Sequence, residues 1–339
     1  MNLKDAALVG SLALCLAGTP IAVFAQTSAL SSAVRTHENM EPAVPRPTQE
    51  AQAQSKLAAL RAETGKAPNI VILMADDLGY GDPGAFGGGI AVGAATPNID
   101  RLAREGLQLT STYSQPTCTP TRSAMITGRL PIRTGLYRPI LAGDKLTANP
   151  WDGETTSAKI LSEAGYTTVL VGKWHVGEAV GMRPQDVGFD EYYGYYRAQK
   201  EYVQAYDKRR YPDLVLDPEK YAKYQAIEQS QGLVHGIKDG ETKDVKPIRS
   251  IEDMANADRL LKEFTVEKIK ALAAAGKPFY LQHAFMKTHA DNHPPKSFEG
   301  ASASKYAYKD AVVEIDAYVG EIVAALEEAG ELENTLIFF

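Results

Sequence analysis

The sequence predicts an α/β fold, a mostly parallel β-sheet flanked by helices, on three observations. Short apolar, β-branched runs of the kind buried parallel strands require alternate with amphipathic helical stretches from residue 67 onward. Several helical stretches carry their own punctuation, Thr or Pro at the start and Gly just past the end. Polar, chemistry-bearing residues follow the strands directly, where open α/β sheets bind ligands. Of the 339 residues, 44% are apolar and 23% charged, which excludes a wholly disordered, collagen-like or multi-spanning membrane chain. With 36 Lys and Arg against 42 Asp and Glu the net charge is −6. Such a chain lacks the basic footprint of a broad nucleic-acid binder, and no nucleic acid is expected as a partner.

Residues 1–25 read as an export signal: Lys4 precedes an apolar run over 6–16, and Val23-Phe24-Ala25 offers a small-residue cleavage site. Gly18 and Pro20 interrupt the apolar stretch, so no stable membrane span is expected. Cleavage after Ala25 predicts a periplasmic or secreted protein. It also removes Cys15, so Cys118 is left without a possible intramolecular disulfide partner. Residues 26–66 read as a linker or N-terminal arm with a short surface helix over 49–63, and 67–339 as the catalytic domain. A strand is predicted over 69–74. Thr96-Pro97 opens a helix that runs through Glu105, and 107–113 alternates like a strand. A helix starts near Pro120, with Thr119 as N-cap, and stops at Gly128; another spans 156–164, closed by Gly165. Residues 166–171 form a strand. The stretch at about 192–256 is rich in Tyr, Lys, Asp and Glu and breaks the rhythm. It reads as an inserted excursion at the rim, whose tyrosines either pack there or stack on an aryl group or sugar. A helix over 260–275, a strand over 278–285, a long helix over 306–329 and a strand beginning at 336 complete the order.

Asp76-Asp77 follows the first strand. Adjacent carboxylates repel unless a cation lies between them, and hard oxygen ligands suit Ca²⁺ or Mg²⁺ rather than zinc; the alternative is a polar turn. Cys118-Thr119-Pro120-Thr121-Arg122 sets a nucleophile just before a helix N-terminus, where backbone N–H groups and the macrodipole favour an anion. With Arg122 in the first turn this makes an oxyanion or sulfate/phosphate site; the alternative is a buried, inert thiol. Lys173 and His175 follow the 166–171 strand and share a face if that segment stays extended. His289 follows the 278–285 strand. Parallel strands would bring all these groups to one edge of the sheet.

The Cys-x-Pro-x-Arg pentapeptide at 118–122 resembles the signature of the type I, formylglycine-dependent sulfatases. The Gly172-Lys173-Trp174-His175 run and Ala75-Asp76-Asp77-Leu78-Gly79-Tyr80-Gly81-Asp82 resemble two further segments of that family, and the texture is most like bacterial arylsulfatases. Thr121 stands where Ser is commoner. The family's Pro-His-x-Pro-like segment appears as Lys287-Thr288-His289-Ala290-Asp291-Asn292-His293-Pro294, with His289 the better match and His293 or His283 the alternatives. The resemblance implies an alkaline-phosphatase-like architecture truncated at the C-terminus. An Asp-Asn pair that completes the metal site, a Lys and a smaller subdomain would lie beyond Phe339. It implies a sulfuric ester hydrolase acting on an aryl or carbohydrate sulfate. Cys118 would be converted to formylglycine by a formylglycine-generating or anaerobic maturation enzyme. Ca²⁺ or Mg²⁺ would be held by Asp76, Asp77 and position 118. Arg122 would assist the attack on sulfur, and Lys173 would bridge the hydrated aldehyde and a sulfate oxygen. His175 would be the base that releases sulfate, and His289 would bind sulfate or assist the leaving oxygen. A phosphonate or phosphate ester hydrolase of the same superfamily, or a non-catalytic sulfated-glycan-binding relative, is the alternative.

Overall fold

The computed structural model describes residues 45–141, 144, 146–198, 203, 212, 217–219, 221–222 and 232–339. The predicted export signal, the arm up to residue 44 and most of 199–231 within the excursion lie outside these residues. The chain divides into two units, 1–42 and 43–339, and the second is described below.

Helix α1 (Pro47–Thr64) is the predicted surface helix: it buries none of its residues and ends at Gly65 in the left-handed conformation. Strand β1 (Asn69–Met74) then enters the sheet. It is followed by α2 (Pro97–Glu105), α3 (Cys118–Thr127), the short α4 (Pro131–Thr134), α5 (Ser157–Glu163), β2 (Thr167–Lys173) and β3 (Glu191–Tyr195). An antiparallel pair follows, β4 (Gly232–Ile237) and β5 (Thr242–Pro247). Then come α6 (Ile251–Ala255), α7 (Ala257–Ala274), β6 (Phe279–Ala284), α8 (Ala307–Glu328) and β7 (Thr335–Phe338). Among the described residues these strands form a seven-stranded sheet in the order β5-β4-β3-β2-β6-β1-β7. The run from β3 to β7 is parallel, and β4 and β5 are antiparallel additions at one edge. Within the predicted excursion, the described residues include the edge strands β4 and β5 and the helix α6.

Period-two alternation splits the sheet residues between two cores. Val71, Leu73, Val169, Val171 and Leu281 pack with Leu261 and Ile269 of α7 and with Ile315, Val319 and Ile322 of α8. Leu170 and Tyr280 face the other side, with Ile126 of α3, Ala158 of α5, Trp174 and Phe189. Being covered on both faces is what lets β2 carry the apolar run Val169-Leu170-Val171 and β6 the run Phe279-Tyr280-Leu281. β2 and β6 also approach closely at their ends. A Cβ at Gly172, whose φ is +98°, would lie 1.9 Å from the carbonyl oxygen of Ala284, so only glycine fits there.

Two predicted elements differ. The strand at 107–113 does not form. Leu107 and Tyr113 are 83% and 85% exposed, and β1 is already paired on both sides, with β6 and β7. Alternation without a ladder partner leaves a loop. Helix α3 starts at Cys118 with Thr117 as N-cap, two residues before the predicted start. Pro120 is tolerated because the N–H of a third helical residue has no intrahelical partner in any case. The N-terminus of α2 is capped from a distance: Asp316 of α8 accepts from the backbone N–H groups of Asn98 and Ile99 at 3.0 and 2.9 Å. Among the described residues no helix is long and apolar enough to cross a membrane.

Candidate active site

Strands β2, β6 and β1 are neighbours, so the segments beyond their C-terminal ends meet. The β1–β6 pairing carries on past both strands. Phe285 N–H donates to Met74 at 2.8 Å, Asp76 N–H to the carbonyl of Lys287 at 3.1 Å, and Thr288 N–H to the carbonyl of Asp76 at 2.7 Å. The loop bearing Asp76 and Asp77 is thereby stitched to the loop bearing His289.

Asp76 is buried, and its carboxylate is met by two cations of the protein itself. Lys173 Nζ lies 2.5 Å from Oδ2 and Arg122 Nη2 3.2 Å from Oδ1. Burial alone would raise the Asp76 pKa, but Lys173 and Arg122 hold it far below the usual carboxylate range. Arg122 also donates through Nη1 to the carbonyl of Lys173 at 2.7 Å, which ties α3 to the end of β2. The two carboxylates meet different partners. Asp77 takes a positive φ of 60° and turns its half-exposed side chain outward. One oxygen is 3.9 Å from Cys118 Sγ and the other 3.8 Å from His289 Nε2.

Cys118, the first residue of α3, is partly exposed, with Lys173 Nζ 3.4 Å from its sulfur. Burial pushes the thiol pKa up against the opposing pull of Lys173, so the group is a thiol and not a thiolate. His175 departs from prediction. Its φ of 59° breaks the extended run, so it does not share a face with Lys173. Its Nε2 sits 2.9 Å from the carbonyl of Ile140, and its own carbonyl accepts from the Thr119 hydroxyl at 2.7 Å. A carbonyl only accepts, so Nε2 carries the proton and Nδ1 holds the lone pair. Nδ1 is buried and has no partner among the described residues. Burial, then Lys173, drives the His175 pKa well down, and burial followed by Lys173 lowers that of His289. By the same rule His289 donates Nδ1–H to the carbonyl of Ala290 at 2.5 Å. Its Nε2 faces Asp77 Oδ2 at 3.8 Å. The alternative His283 is excluded: it lies in the core against the Thr265 hydroxyl at 2.7 Å, where burial takes its pKa to about 3.

Ligand atoms of Asp76, Cys118 and His289 lie within 4.8 Å of one another. Asp77 Oδ2 and His289 Nε2 lie 3.8 Å apart. A neutral thiol is a poor third ligand for a hard ion, whereas an oxygen at that position is a good one.

Sequence reasoning missed several groups. Thr119 links the residue after Cys118 to His175. Tyr308 and Lys309 of α8 hold Asp82, with Lys309 Nζ at 2.5 Å, and Tyr308 also accepts from Gly79 N–H at 3.2 Å. Lys287 is buried between Glu314 at 2.8 Å and Asp258 at 3.6 Å. Beside His175 a cavity of about 300 Å³ opens, with Glu178 and Arg197 in its wall. Thr119, Asp82 and Lys287 fell within motifs, and nothing in those motifs announces partners hundreds or tens of residues away.

The Sulfatase family model matches residues 68–339. N-acetylgalactosamine-6-sulfatase of Rattus norvegicus is 33% identical over 319 residues, 92% of this chain and 55% of that protein. Arylsulfatase A of Homo sapiens is 31% identical over 300 residues, 84% of this chain and 54% of that protein. Among solved structures, the PsFucS1 sulfatase from Pseudoalteromonas sp. superposes with a TM-score of 0.82 at 52% identity, covering 89% of this chain and 60% of that one. The chain spans about half the length of the curated relatives it matches.

Proposed function

The chain belongs to the sulfatase family and has its alkaline-phosphatase-like fold, and from that premise we propose that it hydrolyses sulfate monoesters at position 118. The observation that carries the proposal is the placement of Lys173 Nζ, 3.4 Å from Cys118 Sγ at the first residue of α3 and 2.5 Å from Asp76 Oδ2. Cys118 would be converted to formylglycine by a dedicated maturation enzyme, in a protein exported to the periplasm or beyond. Hydrated formylglycine supplies two hydroxyls, one to attack sulfur and one whose deprotonation lets sulfate leave. Ca²⁺, or Mg²⁺, supplies Lewis acidity and would be held by Asp76, Asp77, His289 and an oxygen at position 118.

The chain's own residues do the rest. Lys173 donates to the oxygen at position 118 and to a sulfate oxygen. Arg122, with two of its nitrogens on Asp76 and the Lys173 carbonyl, would place Lys173 and α3 and assist the attack on sulfur. His175, neutral and protonated at Nε2, has its basic Nδ1 available to take a proton. His289 presents Nε2 on the side of Asp77. The thiol's raised pKa keeps Cys118 from acting as an unmodified nucleophile at neutral pH.

The test uses the matured full-length protein with 4-nitrophenyl sulfate and a phosphonate monoester in parallel. Sulfate turnover that exceeds phosphonate turnover and disappears in Cys118→Ala is expected. Faster phosphonate turnover would make the protein an ester hydrolase of the other class, and no turnover of either, with the aldehyde present, would favour a binding role.

A further inference from the structure

Thr119 does not cap its helix. The N-cap of α3 is Thr117, and Thr119 lies inside the first turn, fully buried. Its hydroxyl belongs instead to a closed circuit of three hydrogen bonds. The Thr119 hydroxyl donates to the carbonyl of His175 at 2.7 Å, and His175 Nε2 donates to the carbonyl of Ile140 at 2.9 Å. Ile140 N–H then donates back to the Thr119 oxygen at 3.2 Å. Ile140 N–H can only donate and the two carbonyls only accept, so the hydroxyl proton and the imidazole proton each have one place in the circuit. The tautomer of a neutral histidine is set by the bonds its ring makes. This arrangement leaves the lone pair on Nδ1, which is buried and has no partner among the described residues. The circuit also steadies the His175 backbone, whose φ of 59° is uncommon for a residue other than glycine. Its N–H is held by the carbonyl of Tyr196 at 2.9 Å and its carbonyl by Thr119. Ile140 itself sits beside a turn gathered on Asp144, whose Oδ2 accepts from Leu141 N–H at 2.9 Å and from Arg138 at 2.6 Å.

We infer that Thr119 is a positioning residue for His175: it keeps the ring in place with its proton on Nε2, and so keeps Nδ1 basic for the step that releases sulfate. The inference rests on the sulfate ester hydrolysis argued above and deepens it by assigning what makes His175 a base. In the first half of that reaction one hydroxyl of the hydrated aldehyde bonds sulfur. The S–O bond to the alcohol breaks, its electron pair going to the alcohol oxygen, and the proton of the attacking hydroxyl is recovered in the alcohol. In the second half the remaining hydroxyl gives its proton to Nδ1, the C=O bond reforms, and the C–O bond to sulfate breaks with its electron pair going to sulfate. Water then rehydrates the aldehyde. Thr119 bears on the second half. Without its hydroxyl, Ile140 N–H and the His175 carbonyl lose a partner. The Ile140 carbonyl is then no longer held against Nε2, and a ring that protonates on Nδ1 has the wrong tautomer for a base. Thr119 follows Cys118 directly, so one helical turn carries both the reacting position and the group that orients its base.

Two readouts on the full-length protein test this. In protein with unmodified Cys118 and ¹⁵N-labelled histidine, nitrogen chemical shifts report the tautomer, and the His175 signals are those lost in His175→Gln. Wild type is expected to be protonated on Nε2 alone, and Thr119→Val, which keeps the shape but not the hydroxyl, to show the proton on Nδ1. In matured protein, 4-nitrophenol release from 4-nitrophenyl sulfate is followed through the first turnover and into the steady state, with rates normalised to the aldehyde at residue 118. A positioned base typically contributes about 10²–10⁴ in rate. Thr119→Val is therefore expected to keep its first-turnover rate and to lose about 10-fold or more in the steady state, which raises the ratio of the two rates. A merely structural defect shrinks the active fraction and leaves that ratio unchanged. Thr119→Ser, which restores the hydroxyl, should return the ratio to near that of wild type. If Thr119→Val does not fold, Thr119→Ala is read in its place. A wild-type ring protonated on Nδ1, an unchanged tautomer in the variant, or an unchanged ratio overturns the inference. A tautomer that moves as expected in a protein that turns over no sulfate ester upholds Thr119 as the residue that positions His175 and overturns hydrolysis instead.

Discussion

Asp76 holds the site together as an anion between two buried cations, and its value lies in what its removal would strand. In Asp76→Asn both Lys173 and Arg122 stay buried without their counter-charge. Breaking a buried pair in this way typically costs about 3–5 kcal/mol. Lys173→Met removes one donor to position 118 and leaves Asp76 its bond to Arg122. The two variants should therefore separate. Asp76→Asn is expected to lower the melting temperature by many degrees and to abolish activity. Lys173→Met should keep more of the fold and lose about 10²–10³ in kcat, the usual loss for a donor at a developing charge. Thermal melts beside steady-state kinetics check this, and equal melting temperatures in the two variants would contradict it. At this scale the sequence led to residues that lie together, Asp76, Cys118, Lys173 and His289, and was poor about their orientation. Asp76 and Asp77 are adjacent and look like one ligand pair. The positive φ at Asp77 sends them to different partners, as that at His175 separates it from Lys173; Asp and His adopt such a backbone more readily than most residues, but neither residue type fixes it.

Helix α8 anchors both loops of the site. Its first turn holds Asp82, in the loop that carries Asp77, through Tyr308 and Lys309. Two turns on, Glu314 holds Lys287, two residues from His289. Glu314 is fully buried; burial, opposed by Lys287 and reinforced by Asp258, raises its pKa from 4.5 to about 7. A folded-state pKa above the unfolded one means that the fold binds the extra proton. The resulting stability is complete below about pH 4.5 and is lost as pH rises through about 7, at about 1.4 kcal/mol per pH unit at most. Glu314→Gln should remove that slope. Between pH 5 and pH 8, wild type is expected to lose more unfolding free energy than the variant, measured by denaturant melts; parallel curves would contradict the assignment. Neighbouring histidines titrate alike in both proteins and cancel. None of this was legible beforehand, because Lys287, Asp258 and Glu314 come from three elements and meet only through the α7–β6–α8 packing. Strands β1, β2 and β6 were legible for the opposite reason: cover on both faces writes a continuous apolar run into the chain itself.

On the scale of the whole molecule, sheet order turns scattered motifs into one site. The segments holding Asp76, Lys173 and His289 lie far apart in the chain. They converge because β1 and β2 both pair with β6, as parallel strands predict. Cys118 arrives on the N-terminus of a helix, as expected, but α3 follows a loop where a strand over 107–113 was predicted, and Arg122 and Thr119 fix it to the segment beyond β2. The edge pair β4–β5 and the Glu178–Arg197 cavity depend on β3 lying next to β2, which no local pattern encodes. The central claim, that position 118 performs hydrolysis only after modification, is tested most directly by preparing the full-length protein at graded extents of maturation. The aldehyde at residue 118 is quantified by mass spectrometry, and 4-nitrophenyl sulfate turnover is plotted against it. A straight line through zero is predicted; turnover that persists at zero aldehyde, or is independent of it, would contradict the account.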